Sequence, residues 1–162
     1  MNPRDRLVRP IQPPDVDAVV GLVHDLARYE RAADECHLTP DQLRDALFGE
    51  QAALFGHVVL AGDEVAGCAL WFLNFSTWRG VHGIYIEDLF VQPAHRGKGL
   101  GRALLTELAR ECEERGYGRL EWSVLNWNEP AIGFYAALGA RAQSEWSIFR
   151  LSGPSLTQLA QS

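Results

Sequence analysis

The sequence has few cysteines and no long hydrophobic run, and both absences limit the classes of protein that it can encode. Three cysteines, Cys36, Cys68 and Cys112, leave an odd number without a paired framework, which favours a reducing compartment over a disulfide-linked secreted fold. No apolar run reaches the roughly 18 residues of a membrane-spanning helix, and the polar start from Met1 to Arg6 lacks the apolar core of a signal peptide. We therefore expect a cytoplasmic protein with no membrane partner.

The chain also lacks an excess of basic charge and any metal-ligand pattern. Fifteen lysines and arginines stand against 21 aspartates and glutamates, a net charge of −6, which disfavours a nucleic-acid-binding surface and is compatible with a cationic partner. The five histidines are scattered without the spacing of a metal site, and no serine lies in a nucleophile elbow. We expect no metal, no nucleic acid and no hydrolytic triad.

One hydrophobic core is expected, because 162 residues with 47% hydrophobic content suit a single domain, residues 1–162. Periodicity and turn residues predict alternating strands and helices. The predicted strands cover residues 7–11, 54–61, 65–75, 83–91, 119–125 and 146–151, and the predicted helices cover about 13–30, 39–48, 100–115 and 130–138. This order is typical of an α/β protein with a mixed sheet and helices on both faces.

A glycine-rich turn joins the predicted strand that ends at Val91 to the predicted helix that begins at Leu100. Glycines at positions 97, 99 and 101 remove side chains that would keep a ligand off the backbone, and a helix N-terminus offers unpaired N–H groups to an anion. With Arg96 and Lys98 adding charge, the turn predicts a phosphate cradle; the alternative is a tight connection that binds nothing. Its spacing fits neither the dinucleotide fingerprint nor the Walker loop.

Two adjacent carboxylates, Glu87 and Asp88, interrupt the apolar strand that precedes this turn. A buried carboxylate is costly unless it has a partner or a function. Regular alternation would send the two side chains to opposite faces of the sheet, so only one of them need line a ligand site. We expect Asp88 to pair with an arginine and Glu87 to act on whatever the turn binds.

Two further segments carry side chains that suit chemistry. Tyr135 lies in a nearly all-apolar predicted helix, where a tyrosine serves either core packing or catalysis. The stretch after the first helix concentrates the carboxylates of Glu30, Asp34 and Glu35, which form either a solvated acidic surface or a rim that attracts an amine.

Three motifs taken together resemble the GCN5-related N-acetyltransferases, and within them the spermidine/spermine and thialysine acetyltransferases. The motifs are Glu87 to Val91, Arg96 to Gly101, and Trp127 to Tyr135. The resemblance implies a twisted, mostly antiparallel sheet of six to seven strands, with acetyl-CoA as the acetyl donor. It implies that the pyrophosphate lies on the turn, that pantetheine runs along the strand before it, and that a later helix start completes the site. The implied cofactor-binding residues are Leu89, Phe90, Val91, Arg96, Gly97, Lys98, Gly99, Leu100, Gly101, Arg102, Asn128, Glu129, Pro130 and Ala131.

The same resemblance implies roles at the reacting centre. Tyr135 is the general acid, and Glu87 assists the attacking amine. The implied acceptor pocket contains Glu87 together with Tyr29 and Glu30. We also assign to this pocket Glu145 and three residues at which the sequence departs from the diamine acetyltransferase pattern, namely Glu121, Trp122 and Ser123. An alkylammonium with a pKa near 10.4 is almost wholly protonated at neutral pH, so a proton acceptor is needed before the nitrogen attacks.

The expected reaction is acetylation of a primary amine on a small cationic acceptor: a polyamine, a diamine or a lysine-like amino acid. Two alternatives remain open, namely a protein or peptide amine as acceptor, and a catalytically silent acyl-CoA-binding module. A homodimer is expected from the resemblance and from five tryptophans in a short chain, because tryptophan is enriched at interfaces.

Overall fold

The structure is a computed structural model that describes residues 6–162, with side chains from Val8 onward. Most of the polar start that disfavours a signal peptide, residues Met1 to Asp5, lies outside the described residues. Internal contacts divide the chain into two compact units, one ending at Ser123 and one spanning Val124–Ser162. Each unit is described by itself below.

The first unit contains a five-stranded sheet in the order of the chain. Its strands are β1 (Arg6–Pro10), β2 (Phe55–Ala61), β3 (Glu64–Ser76), β4 (Val81–Val91) and β5 (Leu120–Trp122). Neighbouring strands are antiparallel, except that β4 and β5 run parallel. The mixed, mostly antiparallel sheet is therefore confirmed, whereas the expected six to seven strands are reduced to five among the described residues.

Two strand predictions account for this difference. The predicted strand 146–151 forms no strand, and the predicted strand 119–125 shortens to Leu120–Trp122. Aromatic and β-branched residues fit a pleated, half-buried surface, but they form a strand only where a partner backbone is available. Those predictions were therefore wrong about pairing, which the local pattern does not specify.

Three helices of the first unit begin and end close to where the sequence predicts. They are α1 (Val16–Tyr29), α2 (Pro40–Phe48) and α3 (Leu100–Arg115). Helix α2 begins with a capping box, in which Thr39 and Gln42 bond each other's backbone N–H groups. Helix α3 ends at Gly116, whose φ of +71° is the left-handed conformation that glycine adopts without strain.

The helices cover both faces of the sheet. A core cluster joins Val16, Val19 and Leu22 of α1 to side chains on one face, namely Val58, Cys68, Leu70 and Phe90. His57 points to the opposite face because neighbouring residues of a strand alternate, and there it lies within electrostatic reach of Glu107 and Glu111 on α3. Helix α1 thus packs on one face and α3 on the other.

The second unit contains α4 (Glu129–Ala137) and α5 (Gly153–Ala160). Asn128 caps α4, since its Oδ1 accepts a hydrogen bond from the N–H of Ala131 at 3.4 Å. Helix α5 was not predicted, although proline in its first turn after Ser152 is typical of a helix start. Many large apolar side chains of this unit are exposed, and the most exposed are Trp146 at 69%, Ile148 at 78% and Phe149 at 95%.

Candidate functional site

Strand β4 carries a β-bulge at the acidic pair. Leu70 of β3 lies opposite Asp88, and the next residue, Trp71, lies opposite Ile86, so Glu87 is an extra residue without a partner in the ladder. A bulge re-aims the side chains of its strand. Asp88 consequently shares the α1 face of the sheet with Leu70, whereas Ile86 shares the other face with Trp71. Simple alternation along β4 does not hold at this point.

The bulge places Asp88 near two other carboxylates. Burial, together with the charges of Glu87 and of Glu30, raises the pKa of Asp88 to about 6. Burial also raises the pKa of Glu30, the residue that caps the C-terminus of α1. No arginine forms a salt bridge with Asp88 within residues 8–162, so the expected arginine pairing is wrong. The residues Glu30, Glu87 and Asp88, which we call the acidic group, give this part of the first unit a negative potential.

The raised pKa of Asp88 makes stability depend on pH. Because the folded-state pKa of about 6 exceeds the ordinary value of 3.8, this contribution to stability is fully present below about pH 4 and is lost as the pH rises through about 6. Asp88→Asn removes this loss. We expect its free energy of unfolding to exceed that of the wild type by up to about 3 kcal/mol at pH 8 and to equal it at pH 4.

Urea denaturation at both pH values checks this expectation. The exposed turn residue Asp63 provides the matched control, and Asp63→Asn should leave the pH dependence unchanged. Equal pH dependence in the Asp88→Asn variant and the wild type would show that the Asp88 carboxylate is solvated in the folded protein.

The edge of β4 beyond the bulge is open. Strand β5 pairs only with Ile84–Ile86, so on this side no strand of the described chain pairs with Leu89–Val91. On the other side these residues pair with Gly67–Ala69 of β3. An unpaired strand edge presents N–H and C=O groups to a ligand in an extended conformation. The open edge therefore suits the pantetheine arm that the family resemblance assigns to Leu89, Phe90 and Val91.

The glycine turn follows this edge and has the geometry of an anion site. Gly97 and Gly99 have φ values of +74° and +76°, in the left-handed region. A Cβ added at Gly97 would meet no other atom within 4 Å, so the space over this part of the turn is open. Gly99 is the N-cap of α3 and supplies no side-chain bond, which leaves the first N–H groups of α3 for a ligand.

A cavity of about 350 Å³ adjoins the turn beside Gly99. Its lining includes Arg102 in the first turn of α3 and, further along the helix, the ion pair of Arg110 with Glu107. Together with Arg96 and Lys98, Arg102 gives the start of α3 a positive charge. The residues present therefore fit a phosphate-bearing ligand.

Arg96 does more than add charge to the turn. Its guanidinium carbon lies 5.2 Å from the ring centroid of Tyr29 and 5.2 Å from that of Phe90, and its Nε donates to the carbonyl oxygen of Val91 at 2.9 Å. The structure thus brings Tyr29, which the resemblance assigns to the acceptor pocket, into contact with Arg96, which it assigns to the cofactor site.

Two predicted acceptor residues on β5 and just after it have internal partners. Glu121 forms an ion pair with Arg119 at 2.6 Å and accepts a hydrogen bond from Asn74 at 3.1 Å. The hydroxyl of Ser123 lies 2.8 Å from that of Tyr85. Register places Glu121 on the same face as Tyr85 and places Trp122 on the opposite face with Ile86. No sequence motif pointed to Asn74 or Tyr85, because only the pairing of β3, β4 and β5 brings them to these positions.

The remaining site residues lie in the second unit. Glu129, Pro130 and Ala131 form the first turn of α4. Tyr135 is half-buried on this helix, and its ring centroid lies 5.3 Å from that of Phe134. No residue of α4 is fully buried, so Tyr135 is not part of a closed core. Glu145 lies exposed in a turn.

Comparison with known proteins identifies the family. The model of the acetyltransferase (GNAT) family matches residues 20–140, about three quarters of the chain. The chain belongs to this family. The resemblance carried by the three motifs is thereby confirmed, and the protein is an N-acetyltransferase by family, with acetyl-CoA as the family's acetyl donor.

Relatives of this acetyltransferase include enzymes named for amino-acid acceptors. A thialysine N-epsilon-acetyltransferase of Bos taurus is 32% identical over 95% of this chain and 96% of its own length. An L-ornithine N5-acetyltransferase of Arabidopsis thaliana is 44% identical over 57% of this chain and 40% of its own length. Among solved structures, an integron cassette protein from V. cholerae has a TM-score of 0.82 at 26% identity and covers 98% of this chain and 99% of that one.

Within the described residues, the acetyltransferase has neither a metal-ligand cluster nor a membrane-spanning helix. No group of three or more histidine, cysteine, aspartate or glutamate side chains is arranged to hold a metal ion there. No helix in that part of the chain has the length and apolar character needed to cross a membrane. The three cysteines are free thiols.

Proposed function

We propose that the protein transfers the acetyl group of acetyl-CoA to a primary amine of a small cationic acceptor. The observation that carries this proposal is the position of the acidic group: Glu87 and Asp88 lie on β4 at the start of an open strand edge that leads into the glycine turn, and Glu30 lies at the end of α1. A thioester arm lying along that edge would present its carbonyl beside carboxylates that attract an ammonium group. The acceptor classes are a polyamine, a diamine or a lysine-like amino acid.

The acidic group supports a cationic acceptor in particular. The charges of Glu30 and Glu87 repel that of Asp88, and an ammonium ion bound beside Asp88 would relieve that repulsion. The relatives named for thialysine and L-ornithine favour an amino acid with a terminal side-chain amine. The acceptor pocket that we propose adds Tyr29, Glu121, Trp122, Ser123 and Glu145.

The proposed chemistry assigns separate roles to two residues. Glu87, directly or through water, accepts a proton from the ammonium group, because a protonated nitrogen has no free electron pair. The neutral nitrogen attacks the thioester carbonyl carbon, a C–N bond forms, the C–S bond breaks, and the nitrogen releases its second proton to solvent as the neutral amide forms. The departing thiolate takes the phenolic proton of Tyr135, and the phenolate regains a proton from solvent. A phenol of pKa about 10 needs only about 2 kcal/mol to protonate a thiolate whose conjugate acid has a pKa near 8.5.

The donor site that we propose runs from the open edge of β4 through the glycine turn to the start of α3. Pantetheine pairs with the open edge of Leu89–Val91, and the pyrophosphate accepts hydrogen bonds from the backbone between Arg96 and Arg102. The resemblance adds the start of α4, residues 128–131. We also propose that residues 1–162 act as one N-acetyltransferase domain, located in the cytoplasm, where the three free cysteines would stay reduced.

A panel of amines tests the proposed function. The protein is incubated with acetyl-CoA and, separately, with thialysine, L-ornithine, spermidine or a lysine-containing peptide, and the release of free thiol is followed. Fastest release with a small amine supports the proposal. Fastest release with the peptide favours the protein-amine alternative, and no release with any amine favours the silent acyl-CoA-binding module.

Acetyl-CoA should raise the melting temperature of the protein, and Gly99→Leu should abolish that increase. A ligand that binds only the folded state stabilises it, and a side chain at position 99 would occupy the space proposed for the pyrophosphate. Differential scanning fluorimetry with and without acetyl-CoA measures both quantities.

The control for this experiment separates backbone strain from loss of binding. Gly80 has a similar φ of +68° in the connection between β3 and β4. Gly80→Leu therefore introduces similar strain but should keep the acetyl-CoA shift. A full shift in a folded Gly99→Leu protein would contradict the phosphate cradle.

We also propose a homodimer. Trp146, Ile148 and Phe149 are exposed apolar side chains close together in the sequence, of the kind that a subunit contact buries. Light scattering should give twice the chain mass over a wide concentration range, and Phe149→Glu should shift the mass toward that of the monomer. A monomer at every concentration in the wild type would contradict this proposal.

A further inference from the structure

We infer that Arg96 is a positioning residue that couples acceptor binding to acetyl-CoA binding through the ring of Tyr29. This inference rests on the proposed function, because it requires an acceptor site at the end of α1 and a phosphate site at the glycine turn. Its physical basis is the contact of one guanidinium group with both sides of the site.

The contacts of Arg96 join two parts of the fold. Tyr29 is the last residue of α1 and precedes Glu30 of the acidic group. Phe90 lies in β4, is only 5% exposed, and packs in the core beneath α1. The guanidinium lies 5.2 Å from each ring centroid. Phe90 therefore provides a fixed surface, and Tyr29, which is 38% exposed, provides the surface on the acceptor side.

The hydrogen bonds of Arg96 leave part of its guanidinium available. Its Nε donates to the carbonyl oxygen of Val91, while its two terminal nitrogens make no hydrogen bond to any residue of the described chain. A planar guanidinium stacks on aromatic rings with its face and donates hydrogen bonds along its edge. Arg96 is thus built to contact Tyr29 and an anion on the turn at the same time.

Coupling follows from the ordering of one side chain by two ligands. Arg96 and Tyr29 are both exposed, so a ligand that contacts either of them restricts the stacked pair. The ligand that binds second then loses less conformational entropy. The coupling must also be reciprocal, since each ligand raises the affinity for the other by the same factor.

Equilibrium binding measures this coupling without turnover. Calorimetry gives the Kd of CoA, the product of the donor, with and without a saturating amine. The amine is whichever of thialysine, L-ornithine and spermidine is acetylated fastest. We expect the amine to lower the Kd of the wild type about tenfold, within the 5- to 150-fold range typical of coupled sites.

Variants distinguish coupling from simple packing. Arg96→Lys keeps the charge but loses the planar group, and Tyr29→Leu keeps apolar bulk but loses the ring; in each, the amine should change the Kd less than twofold. Tyr29→Phe retains the ring and should restore the tenfold effect. Phe75→Leu is the matched control, because Phe75 is an exposed aromatic residue that contacts His82 elsewhere in the sheet, and it should keep the wild-type coupling.

The possible failures are separable. An amine that is acetylated but leaves the Kd of CoA unchanged in the wild type overturns the coupling alone. Tenfold coupling that persists in both Arg96→Lys and Tyr29→Leu assigns Arg96 a packing role and also overturns the inference. Absence of turnover with every amine overturns the proposed function, and the coupling with it.

Discussion

Tyr135→Phe should lower the turnover number by about 10²–10⁴-fold while leaving the affinity for acetyl-CoA nearly unchanged. The lost hydroxyl acts only when negative charge develops on the departing sulfur, so the ground-state complex forms normally and the transition state is destabilised. Steady-state turnover with the best amine of the panel, together with the Kd of CoA, measures the two effects separately.

Tyr117 provides the matched control for the Tyr135→Phe experiment. Tyr117→Phe removes a hydroxyl outside the proposed site and should retain wild-type turnover. If Tyr135 serves only packing, its phenylalanine variant will also be almost fully active. That result would remove Tyr135 from the mechanism and leave the protonation of the thiolate to solvent or to another residue.

Glu87→Gln should produce a second large loss, of about 10²–10⁴-fold near pH 7, and this loss should shrink as the pH rises toward 10. The reason is the protonation state of the acceptor. A free alkylamine has a pKa near 10.4, so at higher pH more of it arrives neutral and no longer needs a carboxylate to take its proton. Turnover measured against pH in both variants gives the comparison.

The two pH profiles should differ in shape. Higher pH supplies neutral amine but does not replace a proton donor, so the Tyr135→Phe deficit should not recover. Glu113 lies exposed on α3, and Glu113→Gln should match the wild type at every pH. Parallel profiles for Glu87→Gln and Tyr135→Phe would show that the roles of acid and base are wrongly assigned.

Local signals predicted the elements that local chemistry determines. Helix α3 occupies the predicted residues 100–115 because Gly99 and Gly116 adopt left-handed conformations at its two ends. The capping box of α2 is likewise contained in a few neighbouring residues. The segment from Trp146 to Leu151 has a strand-like composition, but a strand requires a partner from elsewhere, and no local pattern supplies one.

Some features of the candidate site were likewise predicted from local motifs, whereas others depend on strand register and tertiary packing. The glycine turn and the acidic pair were visible as motifs, and the structure keeps both. The bulge at Glu87 was not predicted, because it arises from the register between β3 and β4. The stacking of Arg96 on Tyr29 was also not predicted, because it depends on the packing of α1 beside the turn. The sequence motifs thus predicted residues of both the donor and the acceptor sites, whereas the contacts between these residues depend on tertiary packing.

The bulge in β4 also bears on how the chain tolerates deletion. Without residue 87, Ile86 and Asp88 would be consecutive, and their observed partners Trp71 and Leu70 are already consecutive in β3. A shortened strand would therefore pair as an uninterrupted ladder and keep every apolar side chain on its present face. The architecture therefore does not need residue 87, and we expect its deletion to keep the fold while removing the proton acceptor of the proposed mechanism.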